Sequence, residues 1–235
     1  MNNSALTKVA VGGFTSNSGK TTLMCELLRG LPGWEAVKVT RGHYRSCGKD
    51  PHACCVSHIL SDEAVVRSGR AETFASGKDT GRYWESGASN VHWAIVTDAQ
   101  VERGIALALG RVQTQGVLIE GNSFLKYVDV DFAVMTVRAE GTQIKPSARR
   151  ALSKISALYL FESGAEAELS ARERFAAWQK REGLEDLLGG TPVYTRESLP
   201  QLVAEIRAVH ERREKLPPED ARTGFSNAST NGFPG

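Results

Sequence analysis

Residues 8–24 read KVAVGGFTSNSGKTTLM and join three patterns in succession. The apolar run Val9–Val11 predicts a buried strand. A loop rich in glycine and serine follows and ends in Gly19-Lys20-Thr21, after which leucine and methionine recur at helical spacing. A strand, a loop of small residues, Gly-Lys-Thr and a helix together are typical of a phosphate-binding loop, or P-loop.

The residue types in this loop suit the chemistry of phosphate. Small residues let backbone N–H groups surround phosphate oxygens, and the start of the helix adds partial positive charge. Lys20 is predicted to contact the β- and γ-phosphates, and the Thr21 hydroxyl to hold Mg²⁺. The predicted nucleotide-binding residues are Ser16, Asn17, Ser18, Gly19, Lys20, Thr21 and Thr22.

The loop departs from the strict pattern Gly-x-x-x-x-Gly-Lys, because Phe14 stands where the first glycine belongs. In one subgroup of P-loop NTPases, the position of Thr15 holds a second lysine that works across a dimer. Threonine at this position argues against that subgroup. The alternative to a P-loop is a chance Gly-Lys-Thr at the start of a helix.

A second nucleotide signal lies at Gly116–Gly121, which reads GVLIEG. An apolar strand that ends in a carboxylate is how such folds place an acid beside Mg²⁺. Glu120 is therefore predicted to act through a Mg²⁺-bound water or to orient the attacking water. Its alternative role is to cap the next turn. Asn122 and Ser123 follow at the carboxyl end of the strand, where open α/β sheets bind ligands.

Two charged segments leave more than one interpretation open. Asp79 begins a predicted helix, where it either caps the first turn or lies at the active site as a catalytic residue. The basic residues near Pro146 form either a solvated surface or a phosphate-binding face; they are Lys145, Arg149 and Arg150, with Ser147 among them.

Residues 41–58 are unusually rich in cysteine and histidine. Thiolate and imidazole are the ligands that zinc and related transition metals prefer. The candidate ligands are His43, Cys47, His52, Cys54 and Cys55. The spacing matches no standard zinc motif, so the alternative is a loop whose cysteines pack inward.

Composition narrows the classes of function. The 235 residues are 41% hydrophobic and 24% charged, which is typical of a globular protein, and a net charge of +2 is too mild to indicate a nucleic-acid partner. No run of about 18 apolar residues predicts a membrane span. The start of the chain lacks a signal-peptide pattern, so we expect a cytoplasmic protein with reduced cysteines.

The remaining pattern predicts an α/β fold with three layers, in which a mostly parallel sheet has helices on both faces. We expect an NTPase domain over residues 1–211, with the Cys/His-rich insertion at 41–58, and a disordered tail over 212–235. Between the insertion and Asp79, the pattern predicts a short helix over 59–66 and a strand over 71–75.

These residues resemble MobB, the P-loop GTPase family that assists molybdopterin-guanine dinucleotide biosynthesis. The likeness spans residues 8–138 and rests on four features: residues 16–22, a histidine-containing segment after the second strand, residues 77–88 and residues 118–121. The resemblance implies that Lys20 and Thr21 bind phosphate and Mg²⁺, that Glu120 serves the metal or the water, and that Asp79 lies near the active site. The cysteine cluster departs from the family, which has paired histidines there.

The expected function is a Mg²⁺-dependent NTPase that binds GTP or ATP and hydrolyses it slowly. It would act in the biosynthesis or delivery of a metal cofactor such as molybdenum cofactor, with a cofactor-synthesis or metal-receiving protein as partner. A homodimer is compatible with this class of NTPase. Two alternatives stay open: a small-molecule kinase that uses the same P-loop, and a metal-binding nucleotide switch without significant turnover.

Overall fold

A single sheet runs through the molecule, and the predicted phosphate-binding loop leaves one of its central strands. The computed structural model describes residues 6–42, 56, 59–138, 144–161 and 165–215. Within these ranges the strands are β1 (Thr7–Gly13), β2 (Glu35–Arg41), β3 (Val65–Ser68), β4 (Val91–Val96), β5 (Gly116–Glu120), β6 (Phe132–Arg138), β7 (Ala157–Phe161) and β8 (Val193–Tyr194). Their order in the sheet is β3-β4-β2-β5-β1-β6-β7-β8.

Every pairing in this sheet is parallel except that of β3 with β4. Parallel strands need long crossover connections, and helices supply them here. The helices are α1 (Lys20–Gly30), α2 (Arg70–Thr73), α3 (Asp79–Glu85), α4 (Val101–Leu109), α5 (Pro146–Ala151), α6 (Ala165–Arg181), α7 (Glu185–Leu188) and α8 (Leu199–Glu214). The predicted α/β fold with a mostly parallel sheet is confirmed.

Two apolar cores lie on opposite faces of the sheet and make the fold three-layered. Val9 and Val11 of β1 pack in one core with residues of α1 and α8, whereas Ala10 packs in the other with residues of α4, α5 and α6. Successive side chains of a strand point to opposite faces, so a strand covered on both sides is apolar throughout. This explains why β1 and β5 are continuous apolar runs in the sequence.

Two predictions between residues 59 and 75 were wrong. The predicted helix over 59–66 is replaced at its end by β3, which pairs antiparallel with the edge of β4. The predicted strand over 71–75 is instead the short helix α2, which follows Gly69 and is closed by the Thr73 hydroxyl donating to the Gly69 carbonyl at 2.7 Å. β3 forms because β4 offers it an edge to pair with. A pattern of neighbouring residues in the sequence cannot predict pairing with a strand so far along the chain.

The carboxyl end of the described chain also differs from the expectation. Helix α8 continues to Glu214, so residues 212–214, which were assigned to the tail, are helical. Residues 216–235 lie outside the described ranges. Among the helices that the structure describes, none is both long and apolar enough to span a membrane.

A buried acid–histidine pair joins the amino ends of three strands. Glu35 Oε2 lies 2.5 Å from His92 Nε2, and Glu35 Oε1 accepts hydrogen bonds from the backbone N–H groups of Gln113 and Thr114 at 2.8 and 3.0 Å. Burial alone would raise the pKa of Glu35, but the bonds from His92 and the two amides outweigh it, and the pKa lies below its ordinary value. The ionised carboxylate is therefore part of the folded structure.

Because the pKa of Glu35 is lowered in the folded state, its stabilising contribution is present above the unfolded pKa and is lost as the pH falls through the folded pKa. We expect Glu35→Gln to lower the free energy of unfolding by about 3 kcal/mol at neutral pH, since it breaks a buried pair. The difference from the parent should shrink as the pH falls below the ordinary pKa of a glutamate, because the lowered pKa of Glu35 is then approached. Urea unfolding at several pH values measures both effects. Glu63→Gln is the control, because Glu63 and its partner Arg103 are exposed; an equal loss in the control would contradict the prediction.

Candidate active site

The loop between β1 and α1 lies at the carboxyl end of β1, in the middle of the sheet. Gly19, the residue before α1, has a φ of 91°, and a Cβ atom there would meet the ring of Phe161 at 2.4 Å. Both the backbone conformation and the lack of space require glycine at this position. The helix then starts with Lys20 and Thr21 in its first turn, as the sequence predicted.

Phe14 anchors the first half of the loop where the usual pattern has glycine. Its side chain is buried, with its ring centroid 5.7 Å from that of Trp178 and 6.5 Å from that of Phe175, both on α6. Its backbone N–H donates to Thr136 O at 3.1 Å, and its carbonyl accepts from the N–H of Lys145 at 3.0 Å. The departure at Phe14 therefore places an aromatic side chain in the core, while Ser16 and Asn17 of the loop are exposed.

A cavity of about 430 Å³ opens beside the loop at the carboxyl ends of β1, β2 and β5. Six predicted site residues line it: Ser16, Asn17, Lys20, Thr21, Asp79 and Glu120. Three other predicted residues, Ser18, Gly19 and Thr22, do not line it. The Ser18 hydroxyl is buried and bonds within the loop and to Thr136 Oγ1 at 2.8 Å, so this side chain holds the loop in shape.

Cationic side chains surround the loop. Lys20 Nζ donates to the carbonyls of Thr15 at 2.8 Å and Ser16 at 3.1 Å. Burial lowers the pKa of Lys20, and its two acceptors are neutral. Lys145 Nζ donates to Ser16 Oγ, and Arg138 Nε donates to Asn17 O at 2.9 Å. A polyphosphate at the loop would meet several positive charges that neutral oxygens now satisfy.

Glu120 is the centre of an acidic cluster on the opposite wall. The Thr21 hydroxyl donates to Glu120 Oε2 at 3.0 Å, the Tyr83 hydroxyl donates to the same oxygen, and Lys38 Nζ donates to Oε1. Lys38 Nζ also lies 2.8 Å from Asp79 Oδ2. One lysine thus joins the two predicted acidic site residues.

The charges in this cluster shift several pKa values. Burial would lower the pKa of Lys38, but the carboxylates of Glu120 and Asp79 outweigh it and raise that pKa. Burial would likewise raise the pKa of Asp79, but Lys38 outweighs it and lowers the pKa. Burial, followed by the charge of Glu120, raises the pKa of Tyr83 well above its ordinary value, so the phenol remains a hydrogen-bond donor at neutral pH.

The oxygen donors at this wall fit a Mg²⁺ ion. Magnesium takes hard oxygen ligands, usually one or two carboxylates beside phosphates and water. Thr21 and Glu120 supply a hydroxyl and a carboxylate that are already in contact, and Asp79 supplies a second carboxylate on the same cavity. The predicted Mg²⁺ ligands Thr21 and Glu120 are therefore brought together by the fold.

Lys38 and Tyr83 were not among the predicted site residues, and Asn122 was predicted at the ligand-binding edge without a specific role. Lys38 is paired with Glu120 in the register of β2 and β5. Asn122 binds the loop, because its amide accepts from the N–H of Gly13 at 2.9 Å and donates to the carbonyl of Gly13 at 2.8 Å. The available signal was a lysine between Val37 and Val39 of β2, both of which are buried.

Replacing Lys38 by methionine tests how this cluster is held. The change leaves the buried Glu120 carboxylate, which is 3% exposed, without its ammonium partner. We expect the free energy of unfolding without Mg²⁺ to fall by roughly 3 kcal/mol, and Mg²⁺ to restore part of it by binding the released oxygens. Urea unfolding with and without Mg²⁺ measures this. Lys180→Met on the exposed surface of α6 is the control, and a Lys38→Met protein as stable as that control would refute the prediction.

The predicted transition-metal ligands His43, Cys47, His52, Cys54 and Cys55 lie outside the described residues, and that cluster stays a prediction. Within the part of the chain that the structure describes, no three His, Cys, Asp or Glu side chains come together in a group that could hold a metal ion. Cys25, the fourth cysteine, is buried in α1, and burial raises the pKa of its thiol. Cys25 is thus a core residue.

The comparisons with known proteins bear on the fold. No family model matches the chain, and no curated protein matches it significantly. The structure is similar to HypB from Helicobacter pylori in complex with nickel, at 13% identity, a TM-score of 0.53 and 91% coverage of both chains. A match with a lower TM-score, 0.43, is LpxK from Aquifex aeolicus in complex with ATP, at 16% identity over 66% of this chain and 48% of that chain. Another, with a TM-score of 0.38, is a zinc-bound triple mutant of the YjiA GTPase, at 17% identity over 83% of this chain and 58% of that chain.

At such low identity the likeness to HypB concerns the fold alone. The chain shares the α/β fold of that structure, and in this fold the predicted phosphate-binding loop follows β1 and Glu120 ends the neighbouring strand β5. The more specific resemblance to MobB is not established by these matches and stays a prediction.

Proposed function

We propose that the protein binds a nucleoside triphosphate with Mg²⁺ and hydrolyses it slowly. The observation that carries the proposal is the convergence of Lys20, Thr21 and Glu120 on one cavity at the ends of β1 and β5. The loop contributes cations and backbone amides, and the opposite wall contributes oxygen ligands for a divalent ion. Positive groups on the loop suit the phosphates of a nucleotide, and oxygen ligands on the opposite wall suit the metal ion that accompanies them.

Each residue has a distinct role in the proposed reaction. Backbone N–H groups of residues 17–20 position the phosphates, and Lys20 offsets negative charge on the transferred group. Thr21 and Glu120 would hold Mg²⁺, which when bound neutralises charge on the β- and γ-phosphates. Glu120 and Asp79 are the carboxylates that can orient a water molecule towards the γ-phosphorus. The water oxygen forms a bond to the γ-phosphorus while the bond from that phosphorus to the bridging oxygen breaks. The diphosphate leaves, inorganic phosphate forms, and the proton of the water passes to the phosphate oxygens or to solvent.

The experiment uses GTP and ATP radiolabelled in the γ-phosphate, each with Mg²⁺ or with a chelator. We expect slow, Mg²⁺-dependent release of labelled inorganic phosphate with at least one of the two nucleotides. Label that passes from the nucleotide to a small molecule in a cell extract would favour the kinase alternative. Tight nucleotide binding without release or transfer would favour the switch, and neither binding nor release would refute the proposal.

We further propose that nucleotide turnover serves the assembly or delivery of a metal cofactor, with the metal held by the cysteines and histidines of residues 41–58. The support is the ligand chemistry of that segment and its position in the chain directly after β2. Residues 40 and 41 at the end of β2 line the nucleotide cavity, so the segment starts beside it. MobB-like molybdenum cofactor synthesis is one such role, and the partner would be a cofactor-synthesis or metal-receiving protein.

Metal content tests this finer proposal independently of turnover. Protein purified without chelator, with added zinc or nickel, should hold close to one metal ion per chain. The double variant Cys54→Ser/Cys55→Ser should lose it, while Cys25→Ser, which alters only the buried core cysteine, should keep it. A parent protein that takes up neither metal at micromolar concentration would refute the metal-handling role and leave the NTPase proposal intact.

A further inference from the structure

A second cavity, of about 670 Å³, adjoins the nucleotide cavity, a size in the range of small-molecule sites. The two cavities share four lining residues, which are Arg41, Asn122, Ser123 and Ser147. The chain leaves Glu120 at the end of β5 and passes through Asn122 and Ser123 into the wall of the second cavity. A molecule in this cavity would therefore lie beside the site proposed for the terminal phosphate and Mg²⁺.

The floor of the second cavity is apolar. It is formed by Val101 at the start of α4, Leu125 after β5 and Ala151 at the end of α5, all of which are at most 3% exposed. Tyr127 adds an aromatic side chain at the edge. This floor suits the hydrocarbon or aromatic body of an organic molecule.

The rim of the cavity is cationic. Four cationic side chains line the cavity against a single carboxylate, that of Asp98; they are Arg41, Lys126, Arg150 and Lys154. Arg41 is already paired with Asp98 at 2.8 Å, and Lys154 with Asp129 at 3.2 Å. Among the described residues, neither the guanidinium of Arg150 nor the ammonium of Lys126 has a hydrogen bond or ion pair, and the Lys126 ammonium lies 5.1 Å from the ring centroid of Tyr127. Two positive charges are thus available to a ligand.

We infer that the second cavity binds a small organic anion, with an apolar body on the floor and a phosphate or carboxylate group held by Arg150 and Lys126. The inference rests on the proposed function for its position beside the terminal phosphate and adds a class of second ligand to it. A guanidinium binds such groups through paired hydrogen bonds, and a lysine adds a point charge. The basic stretch near Pro146 divides accordingly: Lys145 faces the nucleotide cavity, Arg150 lines the second cavity, and Arg149 lines neither.

Naphthyl phosphate is a suitable probe, because it joins an aromatic body to a phosphate group. Its binding is followed by calorimetry, with the nucleotide site filled by a non-hydrolysable GTP or ATP analogue and Mg²⁺. We expect the double variant Lys126→Ser/Arg150→Ser to weaken binding about tenfold or more, since two charged contacts are lost. The control Lys126→Ser/Arg149→Ser removes the same number of positive charges but keeps Arg150. It should bind the probe more tightly than the first double variant, and the difference measures the contribution of Arg150.

Further probes define the ligand class and separate this inference from the proposed function. Naphthoate in place of the phosphate distinguishes a carboxylate site from a phosphate site, and naphthol lacks the charge and should bind much more weakly. Lys20→Ala should lose the nucleotide and keep the probe.

The inference would be overturned if naphthol bound as tightly as naphthyl phosphate, or if the two double variants bound naphthyl phosphate with the same affinity. Displacement of naphthyl phosphate by the nucleotide would overturn it as well. A protein that binds the nucleotide but no anionic probe would refute the inference alone. A parent protein that binds the probe but no nucleotide would refute the proposed function alone.

Discussion

Replacing Lys20 by alanine should weaken the binding of Mg²⁺-GTP or Mg²⁺-ATP by about 100-fold, because a hydrogen bond to a charged group contributes about 1.5–3 kcal/mol and this ammonium is placed to make more than one. Lys20 Nζ now donates to two backbone carbonyls of its own loop. Phosphate oxygens would replace these neutral acceptors with charged ones, whereas alanine offers no donor. Equilibrium titration with a fluorescent nucleotide measures the loss.

Lys180→Ala is the matched control for this prediction, since it removes the same side chain from the exposed surface of α6, away from both cavities. It should bind nucleotide like the parent. The fold of the Lys20→Ala protein should be intact, because the alanine fits the first turn of α1 and no ion pair of Lys20 is lost within the described ranges. If Lys20→Ala binds nucleotide as tightly as Lys180→Ala does, the assignment of the loop fails.

Replacing Glu120 by glutamine should reduce phosphate release by about 100-fold or more, with a much smaller effect on nucleotide affinity. Glutamine preserves the shape of the buried side chain and can still accept from Thr21 and Tyr83. It removes the charge that would hold Mg²⁺ and orient water. The effect therefore belongs to the chemical step, and single-turnover measurements separate it from binding.

Glu26→Gln provides the comparison, because Glu26 lies on the outer side of α1 and pairs with the exposed Arg29. Its turnover should equal that of the parent. A Glu120→Gln protein that releases phosphate at the parental rate would remove Glu120 from the mechanism. A protein that fails to bind nucleotide at all would instead give Glu120 a role in binding.

The local patterns of the sequence were sufficient for the parts of the site that depend on neighbours in the chain. The strand, the loop and the first turn of α1 lie within a few residues of one another. Gly19 has a backbone conformation that few other residues adopt, so a glycine in the sequence indicates it directly. Glu120 was predicted because a buried strand that ends in an acid is itself a local pattern. The α/β class followed from the alternation of such strands with helices.

The parts that were missed depend on register and on distant partners. Lys38 faces Glu120 only because β2 and β5 are adjacent in the sheet, although the two residues are 82 positions apart. Strand β3 forms because β4 offers it an edge, and Phe14 is buried because α6 supplies two aromatic partners. The second cavity likewise joins α4, α5 and the segment after β5, which no short pattern connects.

The most direct test of the Mg²⁺-nucleotide site is an equilibrium titration of the parent protein with fluorescent analogues of GTP and ATP, in Mg²⁺ and in chelator. Saturable binding of at least one nucleotide in the range of about 1 μM to 1 mM is predicted, with an affinity about tenfold lower when Mg²⁺ is removed. Absence of saturable binding for both nucleotides, or the same affinity with and without Mg²⁺, would contradict the account.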